Sequence, residues 1–515
     1  MRTFVDDIAA HAAREPDRVA VSTPRGDLTY AELTRRIEAA ARILAARGAG
    51  PELVCAVAVE RGVDAVVAMA AVVRSGAAFL TLDVELPAER LAALVRSGRA
   101  DLLLTTSALA GRLRLPVPGP PVLLDSALPD SALPDGALQD SAILDGAPAA
   151  PSGPPWPDAL AYVSHTSGST GEPSAVLVEH RGLDSYLRFI ARDYRLGPDT
   201  VALQVAPLGY DASVRDTFAP LLAGGRLVVV PRSELLRPES LGAVVRQHGV
   251  TALLSVTPSL LSFLAGRPDG PDLLAGVTLV VSSGESLRPF LSAGRRGLVQ
   301  GELVNQYGPT ECTMTSTRFR VPAEPDTGHD HVGTAIDGVV VRLLDADLEP
   351  VPDGTTGEVF IGGVGVARGY RGRAARTAEC FVPDPLGAPG SRLYRTGDLA
   401  TAGPDGLRYL GRADRQVKIR GYRVDPAEVE GALLAHPRVA GAVVTPATDA
   451  QGRVHLVAHV TGDLAETTDP ALRTHLGRTL PPHLMPRRFV RLAELPTTRG
   501  GKADRRALAH SGGTQ

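Results

Sequence analysis

Apolar and polar positions follow two periods along the first four hundred residues. Residues 33–46 carry apolar side chains at helical spacing, whereas 53–59 is a continuous apolar run of strand length. Residues 65–73 predict the next helix and 76–82 the next strand, and further buried strands are predicted at 203–205, 227–230 and 277–281. Strands alternating with helices predict an α/β fold: a large N-terminal domain of mixed, mainly parallel sheets with helices. The pattern shifts near 411–416. Beyond it, 427–435, 439–444, 455–460 and 470–480 form a short helix–strand–strand–helix series, enough for a small α+β C-terminal domain. The expected division is therefore 1–411 and 412–515.

One stretch fits neither period. From Asp125 the chain repeats Asp-Ser-Ala-Leu-Pro with small variations every five residues, then becomes proline-rich through Pro155. A period of five matches no helix, strand or solenoid, so 125–155 reads as a low-complexity surface loop.

Composition narrows the classes. A chain of 515 residues exceeds one core, and 44% apolar with 22% charged residues is ordinary for a globular protein. The formal net charge of -3 supplies no basic field, which argues against nucleic acid as a partner. The N-terminus lacks a signal-type apolar core, and the longest apolar stretch is too short to span a bilayer. No membrane partner is expected, and the location read from the sequence is cytoplasmic. Cys55, Cys312 and Cys380 show no metal-ligand spacing and read as free thiols in a reducing compartment.

Candidate chemistry is concentrated in five segments. Thr166-Ser167-Gly168-Ser169-Thr170-Gly171 follows an apolar strand and can wrap polyphosphate with hydroxyl and backbone N–H donors, although it lacks the Gly-Lys-Ser/Thr ending of a P-loop. Asn305-Gln306-Tyr307-Gly308-Pro309-Thr310-Glu311 sets an aromatic beside a hydroxyl and a carboxylate. Tyr394-Arg395-Thr396-Gly397-Asp398 adds a second carboxylate, 411–421 follows, and Gly500-Gly501-Lys502-Ala503-Asp504-Arg505 lies near the C-terminus. Gly363-Val364-Gly365-Val366-Ala367-Arg368 is not a dinucleotide fingerprint, because its third glycine is missing.

In this order the segments resemble the core motifs of the adenylate-forming superfamily: nonribosomal peptide synthetase adenylation domains, acyl-CoA synthetases and luciferases. Matches at 28–33, 363–370 and 480–486 extend the resemblance over nearly the whole chain. It implies that residues 166–171 cradle the phosphates of ATP, that Tyr307 stacks on adenine, and that Asn305 bonds the base edge. Gly284, Thr310, Tyr409 and Arg412 would line the nucleotide, and Asp398 would accept from the ribose hydroxyls. Glu311 would hold Mg2+, a hard cation suited to carboxylate oxygen. Lys502 would be the catalytic cation, bridging substrate carboxylate and α-phosphate as charge develops. The C-terminal domain would be mobile, turning about Asp414, with the loop of Lys418 and Gly421 replacing Lys502 during transfer to a thiol. One departure stands out: Ser174-Ala175 occupy positions where the family usually has Lys-Gly, so weaker ATP binding is expected.

Tyr210-Asp211 separates branches of the superfamily. The resemblance makes Asp211 the partner of a substrate ammonium and Tyr210 an aromatic gate at its carboxylate, which favours an amino acid. Carried over by position, the rest of the substrate pocket is Ala212, Arg215, Ser255, Val281, Ser283, Gln306, Met314 and Thr315. That lining implies a polar amino acid, acidic and β-amino acids included. Arg215 either meets a carboxylate or carbonyl of the substrate or turns away to pair with Asp216. No carrier-type serine motif follows Lys502, so the expected acceptor is the phosphopantetheine thiol of a carrier protein in trans, unless the chain is a domain cut from a synthetase; a small activator protein is an optional further partner. Two other readings remain: a ligase for an amine-free acid, and a catalytically weak scaffold.

Overall fold

The computed structural model describes residues 1–127, 155–167, 172–235, 237–266, 273–449, 453–464, 467–496 and 504–511. Most of the 125–155 loop, together with Gly168, Ser169, Thr170, Gly171 and Lys502, lies outside the described residues.

The expected alternation is present, with shifted ends. Helix Tyr30–Ala46 begins three residues before its apolar period, because Thr29 and Glu32 form a capping box. Tyr30 in that first turn is fully buried and donates its hydroxyl to the carbonyls of Leu221 and Gly225. Strand Val54–Ala58 lies between Ala78–Thr81 and Leu102–Thr105, parallel to both. With Leu160–Thr166, Ser174–Glu179 and two short edge strands it forms a 7-stranded sheet. Helix Val63–Arg74 is buried along most of its length in the largest core cluster.

A second, 14-stranded sheet has two characters. One half is parallel, built from Val19–Thr23, Arg226–Val228, Val201–Leu203, Ala252–Val256, Leu279–Ser283 and Glu302–Tyr307. From Glu302–Tyr307 onward it becomes antiparallel through Thr317–Arg320, Asp330–Ala335, Gly406–Arg412, Arg392–Gly403, Gly357–Gly363 and Val339–Leu344. The strand Gly406–Arg412 runs through the expected 411/412 division, and Asp414 follows it directly.

The small C-terminal domain is α+β. Strands Val439–Thr448 and Val454–Gly462 pair antiparallel, Arg488–Arg491 joins in parallel, and helices Pro426–Leu434 and Asp469–Leu476 contribute to a core of their own. Its hairpin, Val417–Ile419 with Tyr422–Val424, projects onto the N-terminal domain. Among the described residues no helix is long and apolar enough to cross a membrane.

Candidate active site

The C-terminal ends of the parallel strands bring the site residues together, as open α/β sheets do. Register aligns Ser282 with Asn305 and Ser283 with Gln306. Strand alternation then sends Asn305 and Tyr307 to one face and Gln306 to the other. The consequence is two clusters of polar side chains, one on each face of the strand.

On the first face, Asn305 donates through its side-chain amide to the His331 carbonyl at 2.8 Å, which leaves its own carbonyl oxygen as an acceptor. The Tyr307 hydroxyl donates to Asp398 Oδ2 at 2.6 Å, and Arg412 reaches Asp398 Oδ1 at 2.7 Å. Tyr409 donates to the same Oδ1 at 3.3 Å. Arg412 also pairs with Asp414 at 2.7 Å, so the expected hinge residue is tied to the same cluster. Sequence reasoning thus assembled five residues that do converge.

The C-terminal hairpin occupies this face. The Lys418 ammonium sits 5.4 Å from the Tyr307 ring centre and 5.3 Å from that of Tyr409. Burial lowers its pKa, opposed by the charges of Asp398 and Asp330. Gly421, at φ +84°, forms the tip; a Cβ there would meet Thr257 Cγ2 at 2.5 Å, and one on Gly284 would meet the Gly421 carbonyl at 3.1 Å. Both positions therefore need glycine for this approach. Behind the tip, Tyr422 lies 4.7 Å from the Tyr210 ring and stacks on His483 at 3.9 Å. Tyr210 is thus held between domains.

Glu311 is 1% exposed and is engaged by Arg423 of the hairpin, Nη1 to Oε2 at 3.2 Å, and by the Tyr370 hydroxyl at 2.7 Å. Burial alone would raise its pKa; Arg423 and Tyr370 outweigh that and hold it below the ordinary glutamate value. Ser167 bridges the same segment, donating to the Arg423 carbonyl at 2.7 Å and accepting from the Asp425 N–H at 3.1 Å. A buried carboxylate that already holds a cation fits a divalent metal: the Arg423 guanidinium stands where an ion bound to Glu311 would be. Arg423, Tyr370 and Tyr394 were not singled out from the sequence. Tyr370 and Tyr394 lie in quoted motifs, but Arg423 falls just beyond 411–421, and its contact with Glu311 spans more than a hundred residues with nothing local to announce it.

The other face is organised by Arg215, on helix Ala212–Leu222. Its side chain is 1% exposed. Nε and Nη2 donate to Ser255 Oγ at 3.0 and 2.8 Å, Nη1 to the Tyr186 hydroxyl at 3.0 Å and to Gln306 Oε1, and Nη2 to Ser283 Oγ at 3.3 Å. Thr315 donates to Gln306 Oε1 at 3.1 Å. Arg215 therefore does not turn away to Asp216, whose carboxylate instead accepts the Val205 and Ala206 N–H groups at 2.9 Å. Of the pocket expected from the sequence, Arg215, Ser255, Ser283, Gln306 and Thr315 are directly linked. Val281 and Met314 are buried in the adjoining core, and Met314 carries a left-handed φ of 70°. Ser255 donates to the carbonyl of Ala212 at 3.1 Å.

Tyr186, midway along helix His180–Asp193, and Tyr194, just past its C-terminal end, complete the network, Tyr194 accepting from Gln306 at 2.6 Å. They escaped sequence reasoning because a helical tyrosine gives no sign of which buried polar group it serves. Asp211, beside Arg215, has its Oδ2 buried without a hydrogen-bond partner. Burial raises its pKa, partly offset by the Thr310 hydroxyl, the Ala212 N–H and the charge of Arg215.

Comparison with known proteins agrees with this geometry. Residues 8–371 match the model of the AMP-binding enzyme family, and 428–502 match that of the AMP-binding enzyme C-terminal domain. Phosphinothricin tripeptide synthetase PhsB of Streptomyces viridochromogenes is 41% identical, with 97% of this chain aligned to 41% of its length. The dimodular nonribosomal peptide synthase of Bacillus subtilis is 35% identical over 96% of this chain and 21% of its own. The chain thus spans less than half the length of these curated relatives. Among solved structures, PA1221, a nonribosomal peptide synthetase protein containing adenylation and PCP domains, superposes with a TM-score of 0.81 at 30% identity, covering 98% of this chain and 84% of that one. The amide bond synthetase McbA of Marinactinospora thermotolerans shares the fold, with a TM-score of 0.81 at 22% identity and 99% of both chains covered. This chain belongs to the AMP-binding enzyme family, as an ATP-dependent adenylate-forming ligase of the nonribosomal peptide synthetase adenylation-domain type.

Proposed function

We propose that the domain activates an amino acid with an anionic side chain as its aminoacyl-AMP, and then passes it to the phosphopantetheine thiol of a carrier protein. The observation that carries the reading is the pair of unmatched groups in one compartment. Asp211 has a buried oxygen without a partner, and Arg215 is a buried guanidinium whose contacts are all neutral. A substrate ammonium answers the first and a side-chain carboxylate the second, each by a charge-assisted bond. Both α- and β-amino acids with a distal carboxylate meet these terms.

In the first half-reaction, the substrate carboxylate oxygen attacks the α-phosphorus of ATP and pyrophosphate leaves. Lys502, in its family position, is assigned the bridging charge. Asn305 and Tyr307 are assigned the base, and Asp398 with Tyr409 and Arg412 the ribose. Residues 166–171 are assigned the phosphates. Mg2+ at Glu311 would neutralise the phosphate oxygens, and Arg423 must leave that carboxylate first. In the second half-reaction, the hairpin returns, and the arrangement with Lys418 over Tyr307 supports this as the thiol-accepting state.

Pyrophosphate exchange across a panel of amino acids tests the reading. Aspartate, glutamate or a related acidic amino acid should lead the panel. A clear preference for leucine, valine or phenylalanine would sink it, and exchange driven by amine-free acids alone would remove the amino group from the substrate.

A further inference from the structure

The loop entering strand Asp330–Ala335 reads Asp326-Thr327-Gly328-His329-Asp330-His331. Asp326 Oδ1 accepts the Gly328 N–H at 2.7 Å, which turns Oδ2 toward two imidazoles. Oδ2 lies 2.8 Å from His329 Nδ1 and 2.9 Å from His331 Nε2. One oxygen and two ring nitrogens, all within 4.8 Å of one another, face a common point. Donors on a tetrahedral ion with bonds of about 2.0–2.2 Å stand roughly 3.3 Å apart. Small rotations of His329 and Asp326, both largely exposed, reach that spacing.

The third donor is fixed. His331 is 6% exposed and stacks on Phe319 at 5.1 Å. Its carbonyl receives the Asn305 amide, and Arg288 ties down the Thr327 carbonyl at 3.0 Å. One donor and the loop backbone are therefore fixed before any ion arrives, which lowers the cost of binding.

We propose that Asp326, His329 and His331 form a binding site for a borderline divalent cation of the Zn2+, Co2+ or Ni2+ class, distinct from the Mg2+ expected at Glu311. Two imidazoles and one carboxylate select such ions over Mg2+, whose preference is oxygen throughout. Three protein donors leave the remaining positions to water. The site lies outside the substrate compartments but touches the nucleotide wall through the His331 carbonyl and Asn305.

The test is a Co2+ titration of the whole tag-free chain in millimolar Mg2+, followed by visible absorption and by metal analysis after gel filtration. The expected result is one tightly held equivalent, with a four- or five-coordinate Co2+ spectrum. His329→Ala, at a half-exposed position, should fold as the parent does by circular dichroism and lose affinity by on the order of 100-fold. Absence of saturable binding by the parent overturns the proposal, and so does an unchanged equivalent in His329→Ala.

Discussion

Arg215 and Arg423 are guanidiniums withdrawn from water, one in the large domain and one on the hairpin of the small domain, and they are compensated differently. Arg423 meets a carboxylate, Glu311, with phenol hydroxyls around both. Arg215 has five hydrogen bonds to hydroxyls and an amide, and among the described residues no carboxylate lies within ion-pairing distance. Burial opposes the Arg215 charge, but Tyr186 and the nearby Asp216 outweigh it and raise its pKa without a direct ion pair. Arg423 sits on a hairpin of the small domain, whereas Arg215 sits on a helix of the large one. On the proposed reading, the difference separates a switch from a recognition element.

The most damaging way to break the comparison is to remove the charge that lacks a direct ion pair. Arg215→Met should lower kcat/KM for an acidic substrate by about 100–1000-fold, the range set by stranding a buried charge, here the substrate's. Exchange with apolar amino acids of similar length should rise. Steady-state pyrophosphate exchange for both substrate classes measures it; equal losses for both would make Arg215 a structural residue.

Removing the compensated charge should read out elsewhere. Arg423→Ala leaves Glu311 buried and unpaired in the docked arrangement only. Single-turnover loading of a carrier should slow by roughly 10–100-fold, in keeping with a lost buried pair that water partly replaces. Pyrophosphate exchange should change little. If exchange falls as far as loading, Arg423 acts on the nucleotide rather than on the arrangement of domains.

How much of this was legible beforehand follows the range of the interactions. Elements such as Val54–Ala58 and Val63–Arg74 declare themselves because apolar period is local, and their ends shift by a few residues, at Tyr30 because Thr29 caps the helix and the Tyr30 hydroxyl is buried. The site residues were legible as a motif set, and Arg215 was recognised as unusual. Its direction was not legible, since Asp216 is adjacent in sequence and Tyr186, Ser255, Ser283 and Gln306 become neighbours only through strand register. The domain contacts were least legible of all. Arg423 on Glu311 and Tyr422 against Tyr210 depend on how two folded bodies meet, and no period encodes that.

Acid should separate the two faces. Burial raises the Asp211 pKa, so its carboxylate is lost early as pH falls, and the substrate ammonium loses its partner with it. Glu311 is shifted the other way by Arg423 and Tyr370; its pair contributes fully above the ordinary carboxylate range and is lost only as pH falls through a lowered value. The KM for the amino acid should therefore climb on acidification before the domains part. A pH series of KM, set beside small-angle scattering of the same samples, checks the order; domain separation preceding the rise in KM would reverse the assignment.

The smallest effect expected is at a third guanidinium, which sharpens the contrast between movable and fixed charges. Arg90, in helix Ala88–Gly98, reaches Glu428 in the first turn of Pro426–Leu434 at 2.5 Å, and the Glu428 side chain is fully buried. This pair also spans the domains, but Glu428 sits at a helix N-terminus, where the peptide dipoles stabilise its charge by about 0.3–1 kcal/mol without Arg90. Glu311 has no such helix behind it. Arg90→Ala should therefore slow carrier loading by only about 3–10-fold, the loss of a partly buried pair whose acid keeps other support. Exchange should change less than loading, because among the described residues Arg90 makes no hydrogen bond or ion pair to the nucleotide or substrate residues, although its charge reaches Tyr210. Combined with Arg423→Ala, the two losses should fall short of additive, since each weakens the same docked state. Full additivity would mean that the two contacts act in different arrangements of the domains.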